Sequence, residues 1–358
     1  MRKALLKIPG MIDTHVHLRD PGNIDKEDFY TGTCAALAGG VVIVLDMPNN
    51  SKPTVNFRSL KQKERIASQK AVCDYGFFLG ASQSNYKYSS LVAKRACGLK
   101  IYLDSTHGPL LTDKLQTLIG HFENWNSKKP ICVHAEDLSV AKILGLAALY
   151  KKAVHFCHIS QSPEISAIAR AKKKGLPVTC EVTPHHLFLT QNDERKLGNF
   201  GKMKPPLRTR KDQDALWQAL SKGIIDTIGS DHAPHTKKEK KSNNPPFGVP
   251  GLETTLPLLL TAVNRKRLSL KKLVQLTSEN PRKIFGLKQQ SNTNYVLIDL
   301  NEKWKIPTKG FQTKCNWSPF ANFPVQGRVK EVWIRNKKVW DGKKVLIKPG
   351  FGNNLLIN

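Results

Sequence analysis

The sequence lacks any long hydrophobic run. No stretch of its 358 residues approaches the roughly 18 consecutive apolar residues of a transmembrane helix, and residues 1–10 contain no signal-peptide core or cleavage site. These absences predict a cytoplasmic protein without a membrane span. Hydrophobic residues still make up 40% of the chain, enough to bury a sizeable core.

Paired cysteines are also lacking. The seven cysteines are odd in number, form no Cys-x-x-Cys motif and mostly lie in apolar, strand-like runs. This usage argues against a disulfide framework and predicts buried free thiols in a reducing compartment.

Acidic residues are scarce: 28 Asp and Glu oppose 57 Lys and Arg, a formal net charge of +29. Such a charge attracts anions but says little about fold. The lysines, among them Lys61, Lys63 and those in 237–241, are dispersed along predicted helix faces and loops, and no known nucleic-acid motif occurs. We expect no nucleic acid as a partner. An acidic partner domain, a charged substrate or a lysine-biased proteome explains the charge equally well.

The chain does contain a regular alternation of short apolar runs and helix-like segments, which predicts a parallel sheet with crossover helices. The runs end near His15, Asp46, Gly80, Tyr102, His134, His158, Glu181 and Asp231. Eight such units fit an α/β fold, a closed (β/α)8 TIM-type barrel with its active site at the C-terminal strand ends. We expect this barrel over residues 11–286 and a small β-rich appendage from residues 1–10 and 287–358.

His15 and His17 lie at the end of the first run. Alternate side chains on a strand share a face, so both imidazoles can reach one metal ion, and Arg19 continues that face toward a substrate. The alternative is a half-buried strand whose polar residues alternate without function.

Residues of metal-binding type also end later runs: Lys100, His134, His158 and Asp231. Their nitrogen and oxygen donors suit zinc and would converge at one barrel mouth. Lys100 is the exception, because an ammonium is costly to bury and repels a cation. Carboxylation of its amine would give an anionic carbamate able to bridge two metals. The alternative is a lysine that reaches the rim or pairs with Asp104.

These residues belong to a longer series of motifs. After His15, eight segments follow one another along the chain: HLRDPG, MPNN, GLKIYL, VHAED, HFCHIS, CEVTPHHL, SDHAPH and PGLETTLPLLL. In this order the chain resembles dihydroorotases of the amidohydrolase superfamily over nearly its whole length. The similarity is strongest to the dihydroorotase domain of animal multifunctional pyrimidine-synthesis proteins. The resemblance implies reversible, zinc-dependent cyclisation of N-carbamoyl-L-aspartate to L-dihydroorotate in de novo pyrimidine synthesis.

The resemblance also implies a binuclear zinc site. His15 and His17 would hold one ion and His134 and His158 the other, with N6-carboxylated Lys100 between them and Asp231 as both ligand and acid/base catalyst. A third zinc ion held partly by Cys157 and Glu181 is implied as well. From the sequence alone, Cys157 is equally a buried small hydrophobe and Glu181 a paired carboxylate.

The substrate has a second carboxylate besides the one that reacts. The resemblance implies that this carboxylate is bound by Arg19, Asn49 and His235, with backbone contacts around Phe247. The planar guanidinium of Arg19 suits a carboxylate. The alternatives are a surface arginine near Asp20, a turn role for Asn49 and a loop histidine without function.

Two positions depart from the family pattern. Lys204 occupies the place of an expected substrate-binding arginine, and it keeps the charge but loses the bidentate geometry. His107 follows Thr106 in a lid loop where a phenylalanine is expected, so the lid would seal less well. Both can also be solvated loop residues.

Two other functions remain open. Hydantoinases, dihydropyrimidinases and allantoinases share the barrel and metals, but Arg19 and Asn49 suit a substrate with a free carboxylate. A non-catalytic scaffold is the second alternative, although such relatives usually lose metal ligands and here all are present. We expect a homodimer, and association with aspartate transcarbamoylase and carbamoyl-phosphate synthetase domains is left open.

Overall fold

The apolar runs form strands that are buried on both faces, as expected for a parallel sheet enclosed by helices. The structure is a computed structural model and describes residues 5–106, 108–288 and 292–356. The strands are β1 (Leu6–Pro9), β2 (Met11–Val16), β3 (Val41–Asp46), β4 (Asp74–Phe77), β5 (Leu79–Gly80), β6 (Leu99–Tyr102), β7 (Ile131–His134), β8 (Val154–Phe156), β9 (Val178–Val182), β10 (Thr227–Ile228), β11 (Tyr295–Lys305), β12 (Pro324–Ile334) and β13 (Lys337–Trp340).

Strands β2 to β10 form the barrel. Parallel pairing gives the orders β2-β3-β4 and β10-β9-β8-β7-β6-β5, and β5 follows β4 after a single residue. A parallel bridge between Val16 and His232 joins the first and last units, and the His17 amide donates to the His232 carbonyl (2.8 Å). The predicted barrel is therefore confirmed, and its C-terminal strand ends meet at one mouth.

The helices cover the outside of the barrel. They are α1 (Phe29–Ala38), α2 (Phe57–Lys70), α3 (Ser90–Arg95), α4 (Leu115–Asn124), α5 (Leu138–Tyr150), α6 (Ser162–Lys173), α7 (Pro184–Phe188), α8 (Gln191–Leu197), α9 (Arg210–Ser221), α10 (Lys237–Lys240), α11 (Leu252–Asn264), α12 (Leu270–Val274) and α13 (Asn280–Phe285), with a 3₁₀ turn at Gly198–Gly201 and a π turn at Gln275–Glu279. Asp28 caps α1 by accepting from the Thr31 amide (2.9 Å), which explains where that helix begins. Among the described residues, none of these helices has the length and apolarity to cross a bilayer.

The appendage is an antiparallel sheet with the strand order β1-β11-β12-β13. The apolar run that precedes His15 divides at Gly10, so β1 pairs with β11 while β2 enters the barrel. Buried residues of β11 and β12, such as Val296 and Val332, belong to the same hydrophobic core as the barrel. The predicted β-rich appendage is thus present, whereas the domain division at residues 11 and 286 stays a prediction. All seven cysteines are buried free thiols.

Candidate metal and substrate site

One cavity opens at the C-terminal ends of the barrel strands. It is lined by His15, His17, Arg19, Asn49, Tyr102, Thr106, His134, His158, Lys204, Asp231, Ala233, Phe247 and Gly248. Ten of the sequence-predicted site residues are in this lining, although they come from distant parts of the chain. The other described members of the predicted site lie behind the cavity wall: Lys100, Cys157, Glu181 and His235. His107 lies outside the described residues.

His15 and His17 point their Nε2 atoms at the same carboxylate. Asp231 Oδ1 lies 3.4 Å from His15 Nε2 and 3.1 Å from His17 Nε2. The opposite ring nitrogen of each histidine is engaged, because His15 Nδ1 lies 2.9 Å from Glu181 Oε1 and His17 Nδ1 lies 2.7 Å from Asn49 Oδ1. Both acceptors require a proton on Nδ1, which leaves the two Nε2 lone pairs directed at one point beside Asp231.

His134 and His158 form the second histidine pair. His134 Nδ1 lies 3.0 Å from His158 Nε2, while His134 Nε2 lies 3.2 Å from Glu136 Oε1. His158 Nδ1 is buried and has no hydrogen-bond partner among the residues that the structure describes. Burial lowers the pKa of all four site imidazoles, so each is held in the neutral form that ligates metals.

Lys100 is buried without a carboxylate counter-ion in the described part of the chain. Its Nζ lies 3.0 Å from Cys157 Sγ and 5.1 Å from the centroid of the Tyr102 ring. The alternative pairing with Asp104 is absent, since that carboxylate accepts from the Glu136 amide (2.9 Å) and from Ser139 Oγ (3.1 Å). A buried ammonium that contacts no carboxylate is costly, and carboxylation would replace it with an anionic carbamate that suits a metal ion.

Among the residues that the structure describes, two groups of donor atoms are close enough to hold a metal ion. The donors of His15, His17 and Asp231 lie within 4.8 Å of one another, and so do those of His15, Cys157 and Glu181. Glu181 also accepts from Thr14 Oγ1 (2.7 Å). This geometry therefore fits two roles of Glu181 equally well. Glu181 can orient the ring of His15 by a hydrogen bond, or it can itself be a ligand of a further metal ion.

The backbone at three site residues has a positive φ: 63° at Arg19, 36° at His158 and 45° at Asp231. This left-handed region is uncommon for residues other than glycine and carries strain that the surrounding structure must overcome. Such strain concentrates at functional sites, where it aims a side chain that a regular strand would direct elsewhere.

Arg19 is almost fully buried, at 4% exposed, so it is not a surface residue. Its Nε donates to the Pro234 carbonyl (3.2 Å), and Nη2 lies 3.1 Å from His235 Nε2. Asp20 instead pairs with Lys70 (2.7 Å). His235 contacts Arg19 from outside the cavity lining, so its predicted direct contact with substrate stays a prediction.

Glu136 and Arg208 are polar groups of the site that the sequence analysis missed. Glu136 Oε1 lies 3.2 Å from both His134 Nε2 and Lys204 Nζ, and Glu136 Oε2 accepts from Arg208 Nη2 (3.0 Å). Lys204 is therefore held by a carboxylate that also orients a candidate metal ligand. The VHAED motif contains Glu136 two positions after His134, and that spacing is the signal that could have revealed it.

Lys63 of α2 ties together the loops that follow two barrel strands. Its side chain is fully buried, its Nζ lies 2.5 Å from Asp46 Oδ2, and it donates to the Met47 carbonyl and to Asn50 Oδ1, both at 2.8 Å. Asp46 Oδ1 in turn accepts from the Leu18 amide (2.7 Å). This network holds in place the backbone on which the substrate-side residues are mounted.

Replacing Lys63 with methionine is expected to lower the free energy of unfolding by roughly 3 to 5 kcal/mol, because the Asp46 carboxylate then stays buried without its counter-charge. The matched control is Lys61→Met on the same helix, whose side chain is 51% exposed. That change should alter stability by less than about 0.5 kcal/mol. Guanidinium unfolding measures both values, and equal midpoints for the two variants would contradict a stabilising role for the buried pair.

The chain matches the amidohydrolase family over residues 6–103 and 122–339. It is 47% identical over 352 residues to the multifunctional protein CAD of Squalus acanthias, a match that covers 98% of this chain and 16% of that protein. It is 34% identical over 374 residues to the dihydroorotase of Pyrococcus abyssi, which covers 98% of this chain and 87% of the relative. The chain therefore spans only 16% of its multifunctional relative but nearly all of a dihydroorotase.

Solved structures share the same fold. The L-hydantoinase of Arthrobacter aurescens superimposes with a TM-score of 0.93 at 26% identity, covering 98% of this chain and 89% of the other. The inactive dihydroorotase-like domain of the Chaetomium thermophilum CAD-like multifunctional protein gives 0.83 at 29% identity, covering 98% and 99%. The chain is more similar in sequence to the two relatives above, at 47% and 34% identity, than to either solved structure. These relatives therefore indicate which of the activities found on this fold applies. The chain belongs to the amidohydrolase family and, within it, to the dihydroorotases.

Proposed function

We propose that this chain is an active dihydroorotase that interconverts N-carbamoyl-L-aspartate and L-dihydroorotate in pyrimidine synthesis. The observation that carries this proposal is the placement of Arg19 and Asn49 in the same cavity as the histidines and Asp231. A buried guanidinium beside a metal-type site suits a substrate that bears a carboxylate in addition to its reacting group. Hydantoinase-type substrates lack that second carboxylate.

The residues of the site fit zinc. Neutral imidazoles, a carboxylate and a lysine suited to carboxylation are the donors that zinc accepts, and the unpartnered His158 Nδ1 marks a buried nitrogen whose partner would be an external group. His15, His17 and Asp231 would hold one ion and His134 and His158 a second, with carboxylated Lys100 serving both. When bound, zinc supplies Lewis acidity, which polarises the substrate's carboxyl group and makes water a better nucleophile.

The chain's own residues perform the binding and the proton transfer. Arg19 binds the α-carboxylate, supported by His235 at 3.1 Å, and Asn49 lines the cavity next to it. In cyclisation the ureido nitrogen bonds to the β-carboxyl carbon, a C–O bond breaks and water leaves. Asp231 takes the proton from that nitrogen and delivers it to the departing oxygen, which takes a second proton from solution, and in hydrolysis Asp231 moves its proton in the opposite sense.

The equilibrium between N-carbamoyl-L-aspartate and L-dihydroorotate, reached in the presence of the purified protein, tests the proposed substrate pair. Ring closure converts a dianion into a monoanion and consumes one proton. The ratio of dihydroorotate to carbamoyl-aspartate is therefore expected to rise about tenfold for each unit that the pH falls. The measurement is chromatography of both compounds after equilibration from either side, at several pH values.

A mixture without protein is the control for spontaneous reaction. A ratio insensitive to pH would contradict this substrate pair. A zinc-loaded, folded protein that produces no conversion would instead favour the scaffold alternative, which the inactive Chaetomium thermophilum domain exemplifies.

A third zinc ion at His15, Cys157 and Glu181 is a further part of the proposal, supported by the 4.8 Å grouping of their donors. Metal analysis separates this site from the positioning role of Glu181, because it gives three ions per chain in one case and two in the other.

The assembly and location of the chain are also proposals. Exposed Leu138 and Leu149 on α5 support a homodimer, since such side chains are stabilised by burial in an interface. Similarity to multifunctional proteins supports association with aspartate transcarbamoylase and carbamoyl-phosphate synthetase domains. The buried free thiols support a cytoplasmic location.

A further inference from the structure

Lys240, the last residue of α10, is a fully buried lysine whose ammonium is matched by backbone carbonyls. Its Nζ donates to the carbonyls of Lys202 (3.0 Å), Pro246 (3.0 Å) and Gly248 (3.2 Å). An ammonium has three N–H donors and no acceptor, so every donor is satisfied. Three accepted hydrogen bonds offset part of the cost of burying the charge.

The three carbonyls belong to two separate segments of the cavity wall. Lys202 lies two positions before Lys204, and Pro246 and Gly248 flank Phe247; Lys204, Phe247 and Gly248 all line the cavity. The same two segments are joined directly, because the Gly248 amide donates to the Lys202 carbonyl (3.1 Å). One side chain therefore fixes the relative position of two substrate-side loops.

The appendage supports this arrangement from behind. The Trp317 ring centroid lies 5.7 Å from Lys240 Nζ, and Trp317 Nε1 donates to the His235 carbonyl (2.8 Å). The ammonium of Lys240 is thus enclosed by the ring of Trp317 and by the three backbone carbonyls.

We propose that Lys240 is a positioning residue, which locks the loop of residues 236–251 to the segment around Lys204 and so sets the backbone that contacts substrate at Phe247 and Gly248. The inference rests on the proposed function for the identity of that substrate. It assigns to Lys240 no contact with the substrate itself.

The protonation state of Lys240 should control how firmly its hydrogen bonds hold the two segments together. Burial, helped by the nearby charge of Lys202, lowers the pKa of Lys240 to about 8, although Glu194 of α8 and Glu239 of α10 oppose the shift. A neutral amine keeps two N–H donors and no charge, so one carbonyl loses its partner. The contact between the loop of residues 236–251 and the segment around Lys204 should therefore weaken as the pH rises through about 8.

The test compares Lys240→Met with Lys238→Met. Both variants remove one charge from α10, but Lys238 is exposed. In Lys240→Met the KM for N-carbamoyl-L-aspartate is expected to rise about tenfold with kcat within about threefold of wild type, because binding rather than chemistry depends on the loops. In Lys238→Met both constants should stay within about twofold. Equal KM values in the two variants would overturn the proposal.

Hydrogen exchange at the Gly248 amide provides a readout that does not require turnover. Exchange should be about tenfold faster in Lys240→Met than in Lys238→Met, because the amide loses its fixed acceptor. Equal exchange rates in the two variants would overturn the positioning role of Lys240. An inactive wild-type protein would contradict only the proposed function. In the wild-type enzyme, KM should rise through about pH 8. A KM constant from about pH 7 to 9 overturns the proposal, and this measurement decides the case if Lys240→Met does not fold.

Discussion

Asp231→Asn is expected to lower kcat in both directions by about 10²- to 10⁴-fold, the usual range for loss of a general acid/base. The amide keeps the size of the carboxyl and one of its oxygens, but it cannot accept and return the proton. Because His15 and His17 retain their Nδ1 partners, Glu181 and Asn49, their Nε2 atoms should still face the metal position. Steady-state kinetics together with zinc analysis measure both effects.

Asp214→Asn is the matched control for this substitution. Asp214 is a half-exposed residue of α9 that pairs with Arg210 at 3.3 Å and does not line the cavity. Its kcat should stay within about twofold of wild type, since exposed pairs contribute little. If Asp231→Asn retained normal turnover with its zinc, Asp231 would not be the proton carrier. If it lost both zinc and turnover, its role would be that of a ligand first.

The barrel and most of the site were predictable because both depend on local sequence. A buried strand is an apolar run, and a polar residue at its end stands out against that run, as His134 does after Ile131–Val133 and Asp231 after Ile228. Parallel pairing then places all such ends at one mouth without any knowledge of side-chain contacts. Helix starts depend on equally local signals, as the capping of α1 by Asp28 illustrates.

The supporting contacts were not predictable, because they join residues far apart in the sequence. The ion pair between Glu136 and Arg208 spans 72 positions. Lys63 and Lys240 do lie on helices, as their predicted dispersal along helix faces and loops allows, but each is fully buried, which the sequence pattern does not indicate. A lysine has a long apolar stem, and the sequence does not reveal whether its ammonium meets water or a set of carbonyls.

Arg19 is expected to decide which ring the enzyme accepts. Its guanidinium is buried at the cavity wall and held at the Pro234 carbonyl and His235, with no carboxylate partner within the described ion pairs. A buried charge prepared in this way is stabilised when a substrate carboxylate arrives, and that gain is available only to substrates that carry one. Dihydroorotate and dihydrouracil share the same ring and differ in this carboxylate, so they form a matched pair.

Replacing Arg19 with methionine should therefore lower kcat/KM for dihydroorotate hydrolysis by about 10³-fold, within the 2 to 5 kcal/mol range for truncating one partner of a buried charge pair. The same variant should change kcat/KM for dihydrouracil by less than about threefold, because that substrate never used the guanidinium. Arg19→Lys keeps the charge without the planar fork and should fall between, about tenfold below wild type for dihydroorotate. Parallel losses on both substrates would instead mean that Arg19 supports the cavity wall through Pro234 and His235, and the specificity for a carboxylate would then have to come from Lys204 or Asn49.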